Sequence, residues 1–402
     1  MPTALLTGRR PAIAAVAYAF LTVMAFSAIP TPLYVLYQAR DGFSALTITV
    51  IFAAYAVGVT LSLFLAGHLS DVHGRRPLML AAIGLNLASA ATFLLWPELP
   101  GLLAARFIGG LGVGAVTATA TAWLMELHAQ PGASPHRAQA IATAANLGGI
   151  GLGPLVGGIL AQWVAGPLTT PYVVALAALA IAAVLVALVP ETHPAVRPAP
   201  AYRPQRATVP PEGRQAFAAA ALAAFIGFAL LGLFTSLAPA FIAGTLHHTS
   251  RALAGAAVFV VFASAATAQV LAGTRPPRAV LGAGLAAMLA GPALLILAVW
   301  LPSLAVFLGG GAVSGAGAGL TLKGGLGTAA ALAPPEERAE ALAAIFLAGY
   351  IGLAIPVIGL GLLTQELAAD TSLTLFAGLL MTGVLATSAL LRGARAPRAV
   401  TA

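Results

Sequence analysis

Uninterrupted apolar runs of roughly twenty residues, one after another along the whole chain, constrain this sequence more than any other feature. A helix needs about 20 apolar residues to cross the hydrocarbon core of a bilayer, whereas strands of a membrane β-barrel alternate apolar and polar side chains over about ten. Continuous runs therefore call for helices. Of the 402 residues, 60% are hydrophobic and 7% charged, against about 25% charged in a soluble domain. A water-soluble globular fold is excluded, and the apolar content suffices for about twelve spans. With no cysteine, the chain has no disulfide, thiolate metal site or thiol nucleophile.

Runs and breakers read together predict twelve helices, over 12–38, 45–66, 78–96, 102–127, 138–162, 171–189, 216–243, 253–272, 279–300, 303–330, 339–364 and 371–391. With both chain ends placed in the cytoplasm, fifteen of the nineteen Lys and Arg fall in inside segments. Only Arg40 and Arg251 fall in outside loops, while Arg106 and Lys323 lie within helices. That bias is the positive-inside signature of a multi-pass protein of the cell (inner) membrane. It accounts for the net charge of +8 through lipid headgroups, without nucleic acid. The first run is too long for a signal-peptide core and is expected to stay as an uncleaved span. Residues 191–215, rich in Pro and Arg, read as a cytoplasmic linker between an N-terminal bundle (1–190) and a C-terminal bundle (216–402).

The halves repeat. A shift of 201 residues lays Arg137-Ala-Gln-Ala-Ile-Ala on Arg338-Ala-Glu-Ala-Leu-Ala, with eight identities across 137–152, and puts Gly109, Gly110 and Gly114 on Gly310, Gly311 and Gly315. Two six-helix bundles related by a pseudo-two-fold axis along the membrane normal, with a substrate site between them, are one transporter architecture built from such repeats.

Three motifs carry chemistry. Between predicted helices two and three stands Gly67-His-Leu-Ser-Asp71-Val-His-Gly74-Arg75-Arg76-Pro77. Gly67 lets helices approach, Gly74 permits a tight reversal, and Asp71 suits the positive end of a helix. Helix four opens Arg106-Phe-Ile-Gly-Gly110-Leu-Gly112-Val-Gly114. A charge there is costly in the bilayer, so Arg106 is expected to face the interior and hydrogen-bond, with snorkelling to the outer interface as the competing reading. Helix five carries Gly149-Ile-Gly-Leu-Gly153-Pro154-Leu-Val-Gly157-Gly158, a small-residue face for close packing with a bend at Pro154.

These motifs resemble those of the major facilitator superfamily over about residues 10–392. The helix-five signature is similar to that of its drug and proton antiporters, and Pro190-Glu191-Thr192 also resembles the family. The second-half counterpart of the loop, Gly273-Thr-Arg-Pro-Pro-Arg278, has no Asp, so the latch is expected to depend on the first half. The resemblance implies alternating access, here as proton-coupled efflux of a small amphiphile by a monomer in the lipid bilayer; if Lys323 faces the cavity with Arg106, no buried acid offsets them and a neutral or anionic substrate is expected. Proton-coupled uptake, or a non-transporting receptor, are the alternative functions; an enzyme is not expected, and no cofactor or metal. His247 and His248 read as solvated loop residues.

Glu126 is expected to pair with Arg75 at the latch while Asp71 faces the second half, near the start of helix eleven, contacts that would stabilise the outward-facing state. No Asp or Glu lies in the middle of any predicted span, leaving Glu126 as the first-half acid nearest a cavity mouth. Lys323, the only Lys in the chain, either snorkels or faces the cavity. Candidate cavity residues are Met24, Phe26, Arg106, Asn146, Gln269, Lys323 and Tyr350.

Overall fold

The computed structural model describes residues 8–67, 69–129, 135–196, 206, 209, 213–334 and 337–393. Most of the predicted linker, with Arg197 and Arg203, and also Arg395 and Arg398 lie outside the described residues. The described secondary structure is entirely helical: α1 (Arg9–Ala28), α2 (Tyr34–Asp41), α3 (Ala45–Ala66), α4 (Leu69–His73), α5 (Arg75–Leu95), α6 (Leu99–His128), α7 (Pro135–Trp163) and α8 (Thr170–Ala187) in the first half. The second half holds α9 (Arg214–Ser236), α10 (Ala238–Gly244), α11 (Arg251–Ala272), α12 (Pro277–Trp300), α13 (Leu304–Leu332), α14 (Arg338–Glu366) and α15 (Ala369–Gly393). Twelve candidate spans result, α1 and α2 together forming one of 33 residues.

The structure corrects two of the predicted helices. The first, over 12–38, breaks at a 3-10 turn, Thr31–Leu33, that follows Pro30 and contains Pro32. The seventh, over 216–243, breaks at Leu237 just before Pro239. Proline has no N–H to donate and crowds the preceding turn, so the first helix of each half is interrupted near the same end. Pro154, Pro292 and Pro356 instead sit inside continuous helices.

The two halves pack alike. In the first, α1 lies against α6, α7 and α8, α3 against α6, and α5 against α6 and α8; in the second, α9 lies against α13, α14 and α15, α11 against α13, and α12 against α13 and α15. Each contact has its counterpart in the other half. The cross-half packings, α7 on α11 and α3 on α14, are also counterparts, which is the pattern of two bundles about a pseudo-two-fold axis. The repeated glycines act alike: a Cβ on Gly114 would lie 2.7 Å from Val59 O, and one on Gly315 would lie 2.1 Å from Val261 O.

Residues 69–77, the start of α9 and Gly273–Arg278 share one face of the molecule, the signature face. At the opposite face Trp96, Trp163 and Trp300 end α5, α7 and α12 with exposed rings, as anchors at a lipid–water boundary do.

Candidate functional site

At the signature face the chain reverses from α3 into α5 through Gly67, the short α4 and Gly74. Gly74 takes φ +97°, and a Cβ there would lie 2.8 Å from Glu191 Oε2, so only glycine fits. The crowding has a purpose. Glu191 accepts from the backbone N–H of Arg75 at Oε1 and of Arg76 at Oε2, both at 2.9 Å. Its carboxylate thereby satisfies two orphan donors of α5 and faces the positive end of the helix.

Arg75, almost wholly buried, is the hub. Its Nη1 donates to Asp71 Oδ1 (2.5 Å) and Ser70 Oγ (2.6 Å), and its Nη2 and Nε donate to Glu126 Oε1 (2.7 and 3.1 Å). Glu126 Oε2 accepts from Thr192 Oγ1 at 2.6 Å, His193 Nε2 donates to the Asp71 carbonyl at 3.0 Å, and Val196 N–H donates to Val72 O at 2.9 Å. Residues 191–196 thus strap the loop to the ends of α6 and α8. The Asp71 carboxylate serves Arg75 one turn on, beside the cavity that separates the halves at this face. Its side chain stays 59% exposed at the cavity mouth. In the second-half counterpart Arg275 and Arg278 donate to the carbonyls of Leu271 and Leu391.

That cavity opens between the halves toward the signature face. A vestibule of about 800 Å³, bordered by Asp71, Arg75, Arg275 and Lys323, passes Gln139, Gln269 and Phe346 into a deeper chamber of about 240 Å³. Arg106 projects from α6 into the chamber wall. It is 4% exposed, donates through Nη1 to Ser27 O (2.5 Å), and lies over the rings of Tyr55 (4.4 Å) and Phe52 (5.5 Å). Its Nε has no partner among the described residues. No Asp or Glu lines the chamber among the described residues, and they hold no group of three or more metal-ligating His, Asp or Glu.

At the opposite face the chamber is shut. The two broken helices meet where Thr31 Oγ1 donates to Thr235 O (3.0 Å). Arg251 at the start of α11 donates through its backbone N–H to Gln162 Oε1 (2.9 Å) and through Nη1 to Ala161 O (2.9 Å) at the end of α7. Glycines make this approach feasible: a Cβ on Gly158 would lie 2.3 Å from Arg251 O, and one on Gly255 2.1 Å from Pro154 O. Another face of α7 presses on α1, where a Cβ on Gly149, Gly153 or Gly157 would lie 2.6, 2.0 or 2.9 Å from the carbonyls of Leu21, Ala25 and Ile29. In α6, Gly110 meets α3 at Tyr55 O and Gly112 meets α5 at Asn86.

Of the predicted cavity residues, Met24, Arg106, Asn146 and Tyr350 line the chamber and Gln269 lines chamber and vestibule. Lys323 lines the vestibule, with Nζ donating to Gln269 O at 2.6 Å. Phe26 is a correction: it turns into the first bundle, edge-on to Phe93 at 6.4 Å. The sequence reading missed Tyr55, Gln139, Thr143 and Phe228 in the walls and Glu191 at the latch. Polar residues at 139, 143 and 146, on one face of an otherwise apolar helix, were the available signal.

Residues 12–275 match the Major Facilitator Superfamily. The chain belongs to this superfamily. As a member it is a twelve-span membrane transporter of small molecules and not an enzyme. The human organic anion transporter MFSD10 (TETRAN) superposes with a TM-score of 0.69 at 20% identity, over 96% of this chain and 99% of that one. A mutant of the nucleoside transporter NupG gives 0.72 at 13% identity, over 94% and 99%. A bacterial homolog of the human lysosomal transporter Spinster, inward-facing and unoccupied, gives 0.69 at 15% identity, over 96% and 95%. At these identities the likeness is one of fold. No curated protein matches the sequence.

Proposed function

We propose that this Major Facilitator Superfamily member exports a small amphiphilic organic molecule, anionic or neutral, in exchange for protons by alternating access. The observation that carries the substrate reading is Arg106, a buried cation in the wall of an aromatic chamber whose described lining has no carboxylate. Such a wall repels lipophilic cations and offers a donor to an anion or a carbonyl. The organic anion transporter among its structural neighbours handles substrates of that charge. Export follows from the helix-five resemblance.

In this reading the signature face is cytoplasmic, both termini lie there in the inner membrane, and the arrangement is inward-open. The moving bodies are residues 1–190 and 216–402, joined by 191–215, and one monomer is complete because both cavity walls come from one chain. Asp71, exposed at the mouth, engages the start of α14 when this face closes. With no described carboxylate in the chamber, the proton travels on Glu126 or on the substrate's own acid, and Glu126→Gln separates the two routes: full pH-driven transport in that variant assigns the proton to the substrate.

Proteoliposomes loaded with a fluorescent organic anion or a cationic dye, under an imposed pH gradient, test the function. Anion movement against the proton flow is expected. Co-movement with protons makes the protein a symporter, and export of the cationic dye alone overturns the substrate reading.

A further inference from the structure

The two walls of the chamber differ in kind. On the first-half wall, Gln139, Thr143 and Asn146 follow one another at i, i+4 and i+7 along α7, and their side chains make no hydrogen bond among the described residues. Arg106 adds its guanidinium to the same wall. The second-half wall is apolar and aromatic: Phe228, Phe262, Leu322, Leu326, Phe346 and Leu353. Its polar members are few. Thr235 donates to the Leu231 carbonyl (2.8 Å) at the closed end, Gln269 sits near the mouth, and Tyr350 stands edge-on to Phe228 at 5.4 Å.

From Gln139 near the mouth to Asn146 in the chamber, the polar stripe runs about 10 Å along α7, parallel to the transport path, at 1.5 Å per residue. A head-to-tail amphiphile has one polar end. It would satisfy one point of such a stripe and leave the other groups facing hydrocarbon, a cost of about 1–3 kcal/mol for each desolvated polar group. A molecule polar along one whole edge satisfies all of them and gives its opposite face to the aromatic wall.

We infer that the substrate is a facial amphiphile: a rigid, flat apolar body with hydroxyl or carbonyl groups along one edge and an acidic group. It binds with its polar edge on α7 and α6 and its apolar face on α9, α11, α13 and α14. This rests on the anion-exporter reading and specifies how polarity is distributed over the molecule.

Two carboxylates of equal charge test it: cholate, whose hydroxyls lie on one face of a fused-ring body, and dodecanoate, polar at one end. Both are offered below micellar concentration to the full chain in nanodiscs and in proteoliposomes. Cholate is expected to bind about tenfold tighter than dodecanoate. Gln139→Leu and Asn146→Leu should each lower that ratio about threefold, as does Thr143→Val, which keeps the side-chain volume and so the packing. Dodecanoate bound as tightly as cholate, or a ratio unmoved in all three variants, overturns the inference and leaves an anion exporter standing. If neither carboxylate binds or moves, the inference and the anion reading fall together.

Discussion

Arg106 combines two interactions that only a guanidinium makes at once, a hydrogen bond to Ser27 O and stacking on Tyr55, at the chamber wall. Arg106→Lys keeps the charge and loses the planar fork. Flux of an anionic probe is expected to fall about tenfold, equivalent to about 1.4 kcal/mol, in initial-rate assays on proteoliposomes; unchanged flux would mean that charge alone suffices. At the latch, Glu191→Ala removes the cap of α5 and should cost about 1 kcal/mol of stability. Gly74→Ala should cost more, because it forces a Cβ into a backbone of φ +97° and against the capping carboxylate at 2.8 Å. Thermal unfolding of the purified protein ranks the two, and an inverted order would break the account of the cap. These residues were unequally legible in the sequence. Arg75 and Glu126 could be paired because the predicted topology puts both at the same end of neighbouring helices. Glu191 was in view at the end of helix six, yet nothing local announces that its carboxylate caps a helix 116 residues earlier. Phe26 was misplaced although helix geometry spoke against it: at about 100° per residue it points some 200° away from Met24, so both cannot face one cavity.

Glycine sets helix separation at the level of elements. Within α7, Gly153 presses on α1, where a Cβ would lie 2.0 Å from Ala25 O, while Gly148 has open space around its Cβ position. Gly153→Ala should therefore push α7 off α1 and lower both melting temperature and flux, whereas Gly148→Ala should leave both as they are. Equal behaviour of the two variants would reject the packing account. Helix positions were readable to within a few residues because bilayer thickness fixes the length of each apolar run. The interruptions of the first and seventh helices were not, since a proline bends some helices and ends others. Pro154 lies in a continuous α7, but at Pro30 and Pro239 the broken ends find other partners. Thr31 donates to Thr235 O across the halves, a long-range bond that periodicity does not encode. The face most helices turn to the cavity was equally hidden, because they are apolar all round; α7, with polar residues at 139, 143 and 146 on one face, was the exception.

At the scale of the whole molecule, the proposed alternating access requires that closure at one face accompany opening at the other. Here the opposite face is shut by α7 on α11 and α3 on α14, and the vestibule at the signature face is open. Substrate bound from the vestibule can leave on the other side only if both seals part. The natural absence of cysteine gives a direct way to hold one of them closed. A Cβ on Gly361 of α14 would lie 3.2 Å from Leu46 Cα of α3, close enough for a disulfide, which spans Cα atoms about 4.4–6.8 Å apart. The double variant Leu46→Cys, Gly361→Cys should form this bond on mild oxidation. In the oxidised state the vestibule and chamber stay accessible, so an anionic probe should still bind with near-parental affinity, while transport drops to background because the seal no longer opens. Reduction by dithiothreitol should restore flux. Each single-cysteine variant reports the effect of its substitution on packing, Gly361→Cys in particular, since a side chain there presses on Thr49. Transport that survives full oxidation would show that substrate does not pass between α3 and α14 at that face, and the alternating path through this cavity would have to be abandoned.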